Sequence, residues 1–185
     1  RYGRCRGLPR QPSATTVASA AALALAPAAS ADRDDDKLQI FLSYPRGDET
    51  TPFARKLKEF LETCGYAVWM DEEGIQGGVD FMNAIGEAIR SSHGIVAVID
   101  QKFCGSTYCN NELAMAQGCG CRILPIIFRD MTFDKMPPGL QYMLASINCF
   151  AFPDKGSDES MLPSLIEGVH NSLAAVGKRP NMRHG

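Results

Sequence analysis

The segment Gly94-Ile95-Val96-Ala97-Val98-Ile99 carries no polar side chain. A strand whose side chains are apolar on both faces must be covered on both faces, which is the position of an inner strand in a parallel sheet flanked by helices. The surrounding text supplies the rest of such a sheet. Leu38 to Ser43 predicts a first strand, Tyr66 to Met70 a second, Gly94 to Ile99 the third, Arg122 to Phe128 a fourth and Ile147 to Phe152 a fifth. Between them run helical patterns. Thr51-Pro52 opens a helix with proline in its first turn, Phe53, Leu57, Phe60, Leu61 and Cys64 recur at helical spacing, and Gly65 closes it. Phe81, Ile85, Ala88 and Ile89 mark a second helix, residues 108–117 a third, and Met161 to Leu173 a last amphipathic one. Asp71 to Gly78 and Gln101 to Thr107 are expected to be loops, and Phe133 to Leu144 an irregular stretch broken by Pro137-Pro138-Gly139.

Alternating strand and helix predict an α/β fold with helices on both faces of the sheet. Five strands without a Gly-x-Gly-x-x-Gly turn favour the flavodoxin-like winding over the dinucleotide-binding one. In that winding ligands sit at the carboxyl ends of the strands, where strands one and three part.

The 185 residues allow one ordinary domain and a tail. The ordered domain is expected over residues 38–176, with residues 177–185 frayed. Residues 1–37 differ from the rest: four arginines come first, then an Ala/Ser/Thr-rich stretch, then the acidic run Asp32 to Asp36. This segment lacks the bulky apolar groups that would order it, and it is expected to be a disordered tail or, through residues 1–31, an organelle-targeting segment. The chain opens on Arg1 rather than Met, which leaves room for a preceding segment. A net charge of -2 gives no electrostatic case for nucleic acid or an anionic membrane. No apolar run is long enough to span a bilayer. Seven cysteines, an odd number with several in apolar surroundings, read as reduced thiols rather than a disulfide framework, and so point to the cytoplasm. Cys119-Gly120-Cys121 lacks the spacing and second pair of a zinc ribbon, so no metal is expected, and these two are taken as small buried thiols near a turn.

The loops at the predicted carboxyl rim carry the candidate chemistry. After strand one come Tyr44-Pro45-Arg46-Gly47-Asp48-Glu49, after strand two Asp71 to Gly78, and after strand three Ser106-Thr107-Tyr108-Cys109-Asn110-Asn111-Glu112-Leu113. If the last is helical, Tyr108 and Glu112 share one face as an i,i+4 pair. An acid beside a flat ring is an arrangement that holds an aromatic leaving group next to a developing cation. Arg46 has two readings, a bidentate phosphate contact or a salt bridge to Asp48 or Glu49. The glycines at 74, 77 and 78 permit close backbone approach, but no Gly-Lys-Ser/Thr follows them, so they form no P-loop. His93, His170 and His184 are too scattered for a triad or a metal site, and His93 is expected to be a surface or capping group. A phosphoacceptor receiver domain shares the winding, and Asp100 ends strand three, but strand one lacks the acidic pair that would hold magnesium.

These residues resemble the TIR (Toll/interleukin-1 receptor/resistance) domain in order and spacing. Ile40-Phe41-Leu42-Ser43-Tyr44 is similar to the family's opening strand, and Arg46-Gly47-Asp48 to the pattern that follows it in plant members. Gly65 to Asp71 resembles the second strand and Gly74 to Gly78 the BB loop. Ser106 to Leu113 resembles the Ser-x-Trp-Cys-x-x-Glu-Leu signature, with Tyr108 where Trp is usual. The resemblance implies an enzyme that cleaves NAD+ between nicotinamide and ribose, activated by self-association, in signalling or innate immunity. It implies Glu112 as the catalytic group and Ser43, Tyr44, Arg46, Gly77, Ser106, Tyr108 and Cys109 as substrate contacts. NAD+ is then substrate, with no further cofactor. Phe41 and Trp69 are expected in the core. The alternative it implies is a non-catalytic adaptor that binds other TIR domains through the BB loop.

Overall fold

In the computed structural model, residues 37–71, 79–156 and 158–174 are described. Five parallel strands form one sheet: β1 Gln39–Ser43, β2 Ala67–Met70, β3 Gly94–Ile99, β4 Arg122–Phe128 and β5 Phe150–Phe152. Their spatial order is β2-β1-β3-β4-β5, the flavodoxin-like winding that the strand pattern predicts. Phe41 pairs in register with Trp69 on β2 and with Ile95 on β3, so β1 and β3 are neighbours whose connections leave in opposite directions.

Period-two alternation divides the core between the two faces. Ile40, Leu42, Val96 and Val98 point to one face and pack with Phe53, Leu57 and Leu61 of α1 (Thr50–Thr63) and Leu165, Val169 and Leu173 of α6 (Asp158–Ala174). Phe41, Ile95, Ala97 and Ile99 point to the other. They meet Ile85 and Ile89 of α2 (Val79–Ser91), Phe103 of α3 (Gln101–Gly105), Leu113 and Ala116 of α4 (Thr107–Gly118), and Leu140 and Leu144 of α5 (Pro138–Leu144). Gly65, at φ +92, makes the left-handed turn that ends α1.

Two helices lie where the sequence reading expected none. α3 replaces the start of the loop after β3, because Asp100 caps it by accepting the Phe103 N–H at 2.7 Å. α5 forms within the stretch read as broken, because Pro138 stands at its first turn, where a missing N–H costs nothing. β5 is also shorter than expected, Phe150–Phe152.

One polar knot ties the sheet edge to the helices. Arg129, just beyond β4, adopts φ +56, a left-handed conformation unusual outside glycine. Its guanidinium grips Asp158 with two bonds of 2.8 and 2.9 Å, reaches Glu49 at 3.3 Å, and lies 4.0 Å from the Phe128 ring centroid. Gly168 on α6 faces Phe150, and a Cβ there would run into that ring. The expected tail at residues 1–37 and end at 177–185 lie almost wholly outside the described residues.

Candidate active site

The carboxyl ends of β1 and β2, with α2 and α4 beside them, enclose a cavity of about 330 Å³. Its floor is aromatic: the Phe41 and Trp69 rings stack at 4.8 Å between centroids, 14° from parallel. Phe81 and Ile85 of α2 form one wall, and Ser106, Tyr108, Cys109 and Glu112 of α4 and its cap form the other. Tyr44, Pro45, Arg46 and Asp71 complete the rim.

α4 is set by its own caps. Ser106 accepts the Cys109 N–H at 3.2 Å, and Asn110 donates to the carbonyls of Phe103, Cys104 and Ser106, which fixes the helix against α3. This phase brings Glu112 over the end of β1, where Ser43 Oγ donates to Glu112 Oε2 at 2.6 Å. Burial pushes the Glu112 carboxyl up to about 7, the Ser43 hydrogen bond opposes that shift, and the charge of Asp71 adds to it. Cys109 is buried too, and burial raises its thiol to about 11, so it is no nucleophile at neutral pH.

The rim is also tied together. Tyr44 Oη donates to the Asp71 carbonyl at 2.8 Å, and Arg46 donates to the Asp71 carboxylate at 2.7 Å. The 44–50 turn is braced by Thr50 Oγ1 donating to the Pro45 carbonyl at 2.6 Å.

Of the predicted contacts, Tyr44, Arg46, Ser106, Tyr108, Cys109 and Glu112 line this one cavity. Ser43 does not: it is 1% exposed and its hydroxyl is engaged by Glu112. Gly77 and the BB-loop segment 74–78 lie outside the described residues. Arg46 pairs with Asp71, not with Asp48 or Glu49, since Glu49 turns to Arg129 and Lys155. Phe41 is core as expected, but it and Trp69 also form the cavity floor, a role the sequence reading missed. The signal was available: both sit on the first two strands next to the switch point. Asp71 stands in a loop expected at the rim, but its pairing with Arg46 is not legible in the sequence because only strand pairing brings the two together.

Among the described residues no three His, Cys, Asp or Glu side chains cluster as metal ligands. His93 caps β1 by accepting the Gln39 N–H at Nδ1. Cys121 donates to the carbonyls of Ile89 and Ser92, while Cys119 is exposed rather than buried.

The family model described as TIR domain matches residues 40–166, which contain the whole cavity wall and all of the sheet but Gln39 at the start of β1. The chain belongs to the TIR domain family. Solved structures of this TIR fold agree over its length. The TIR domain of a Toll-related receptor from Hydra magnipapillata is 20% identical, with a TM-score of 0.55 over 71% of this chain and 98% of that one. The TIR domains of the activated Roq1 resistosome are 17% identical, with a TM-score of 0.54 over 72% and 99%. The CMP N-glycosidase BcmB of Clostridium botulinum is 15% identical, with a TM-score of 0.54 over 70% and 98%. No curated protein sequence matches the chain. Among the described residues, no helix of this TIR domain is long and apolar enough to cross a membrane.

Proposed function

We propose that this TIR domain is an NAD+ nucleosidase, cleaving the bond between nicotinamide and ribose to give nicotinamide and ADP-ribose or a cyclic isomer. The observation that carries the reading is Glu112, a partly buried carboxylate held by Ser43 in the wall of a cavity with an aromatic floor.

The chemistry needs little else. Nicotinamide is bonded to ribose C1 as a pyridinium. When that bond breaks, its electron pair goes to the ring nitrogen, which becomes neutral and needs no proton. The ribose is left with oxocarbenium character. An ionised Glu112 beside C1 stabilises that charge in a site of low dielectric. A water, or a nucleophile of the adenosine half, then forms the new bond to C1 and gives up its proton. The Phe41–Trp69 stack and the Tyr108 ring offer flat surfaces to the base, and Ser106 a polar neighbour. Arg46 is the cation that meets the pyrophosphate, at the expense of its bond to Asp71. In support, a protein of similar fold is named as a nucleotide N-glycosidase.

The cavity is at the small end of ligand pockets, which run to roughly 300–1,000 Å³. It suits one nucleotide half of a dinucleotide, leaving the other half for a neighbouring copy. We therefore place activation in self-association or pairing with another TIR protein, in the cytoplasm, where the six described cysteines stay reduced.

The second reading is an adaptor that only binds other TIR domains. It is favoured by the exposure of Tyr108, 61%, and Met82, 48%, as apolar surface beside the cavity. The test is nicotinamide release from NAD+ by the purified protein under crowding, with CMP as a second substrate and Glu112→Ala alongside. Turnover lost in the variant supports the enzyme. No turnover in any condition, or equal turnover in the variant, overturns it.

A further inference from the structure

Ser43 is the last residue of β1 and sits on the same sheet face as Phe41, beneath α4. A serine at a position 1% exposed must find a partner or carry a desolvation penalty. Its hydroxyl has one, the Glu112 Oε2 at 2.6 Å, a length typical of a donor bonded to a charged oxygen. The bond joins a strand to a helix across 69 residues of sequence. The rest of the described surroundings do little to keep Glu112 charged. α2 offers Phe81 and Ile85, which are apolar. α4 offers Tyr108 and the Cys109 thiol. The loop after β2 offers Asp71, a like charge. The cation on the rim, Arg46, is bonded to Asp71 instead. Among the described groups facing Glu112, the Ser43 hydroxyl is thus the one seen to donate to the carboxylate.

We propose that Ser43 is a positioning residue, a buried donor that favours the ionised form of Glu112 and holds its carboxyl in the cavity wall, rather than a group that touches substrate. Its part in turnover rests on the nucleosidase reading, but its hold on the Glu112 proton does not. A donor lost from a carboxylate removes a bond that only the charged form makes at full strength, so the proton is held more tightly.

The experiment labels glutamate with 13C at the side-chain carboxyl and follows the Glu112 resonance, assigned by its absence in Glu112→Gln, from pH 4 to 9. Ser43→Ala is expected to raise the Glu112 midpoint by about one pH unit. Ser43→Cys, similar in shape but a weak donor, is expected to fall between Ser43→Ala and wild type, and it decides the matter if the alanine variant does not fold. In nicotinamide release, both variants are expected to lower kcat with KM little changed and to move the acidic limb upward with the NMR midpoint. A folded Ser43→Ala or Ser43→Cys whose Glu112 midpoint stays at the wild-type value overturns the proposal. Wild type that releases no nicotinamide, with the midpoint displaced in the variants, overturns the nucleosidase reading and leaves the assignment of Ser43 as the keeper of the Glu112 charge standing.

Discussion

The Arg46 guanidinium donates to the Asp71 carboxylate at 2.7 Å, so the rim cation is already engaged before any ligand arrives. Both groups are partly exposed, and such a pair contributes no more than about 1 kcal/mol. A phosphate can therefore displace Asp71 at small cost. Asp71→Asn is expected to free the guanidinium and lower KM for NAD+ by roughly 2- to 5-fold, an effect that weakens as salt rises. Because the Asp71 charge raises the Glu112 pKa, the same variant moves the acidic limb of the pH profile downward. Initial rates at two ionic strengths and several pH values check both outcomes.

If the domain is a nucleosidase, Glu112 sets activity and stability against each other. Its carboxyl is raised from 4.5 to about 7 in the folded protein. The folded state therefore holds this proton more tightly than the unfolded chain does. The contribution is full below pH 4.5 and is lost as pH rises through about 7. On the proposed nucleosidase reading turnover needs the ionised form, and it is expected to climb through the same window. Glu112→Gln is expected to abolish nicotinamide release while raising unfolding stability at pH 8 by about 2 kcal/mol, with little change at pH 4.5. Urea unfolding at the two pH values checks this, and equal effects at both would contradict the assignment.

Trp69 is the chain's one tryptophan and stands in the cavity floor. Its fluorescence should report occupancy directly. Titration with NAD+ or nicotinamide is expected to quench the emission saturably, and to do so more weakly for NAD+ in Arg46→Ala. Trp69→Ala removes the stack on Phe41 and is expected to raise KM at least 10-fold, whereas Trp69→Phe keeps a flat ring and recovers most of the loss.

Arg129 affects the fold without touching the cavity. Arg129→Ala leaves Asp158, the buried first residue of α6, without its bidentate partner. A loss of about 3 kcal/mol is expected. Arg129→Lys recovers only part of it, since an ammonium cannot make the paired bonds. Gly168→Ala, which drives a methyl into Phe150, is expected to destabilise by a similar amount. Chemical denaturation measures each loss, and activity per folded molecule is expected to stay near wild type.

The sheet was legible because each strand spells out its own burial. Gly94 to Ile99 could not be anything but an inner strand, and its neighbours follow from the alternation. Glu112 was legible through its spacing from Tyr108 and the signature around both. What the sequence hid was partnership at a distance. Ser43 reads as a substrate contact only through the family resemblance, while its bond to Glu112 depends on α4 passing over the end of β1, a tertiary event. Of the two readings of Arg46, the ion pair was assigned to its chain neighbours because Asp71 comes beside it only when β2 pairs with β1. The short helices α3 and α5 escaped for a different reason. Each is too brief for a helical period to show, and each depends on a single residue, Asp100 as cap or Pro138 as first turn.

Phe41 belongs at once to the hydrophobic core and to the cavity floor. The floor therefore cannot be recut to suit a different ligand without loosening the protein, since trimming that ring costs about 3–5 kcal/mol. The freedom to change what is bound lies higher up, in the exposed side chains of Tyr108 and Arg46, where substitutions leave the central strands intact. A lineage of such domains, or an engineer, would be expected to diversify by trading rim residues over an unchanging aromatic base.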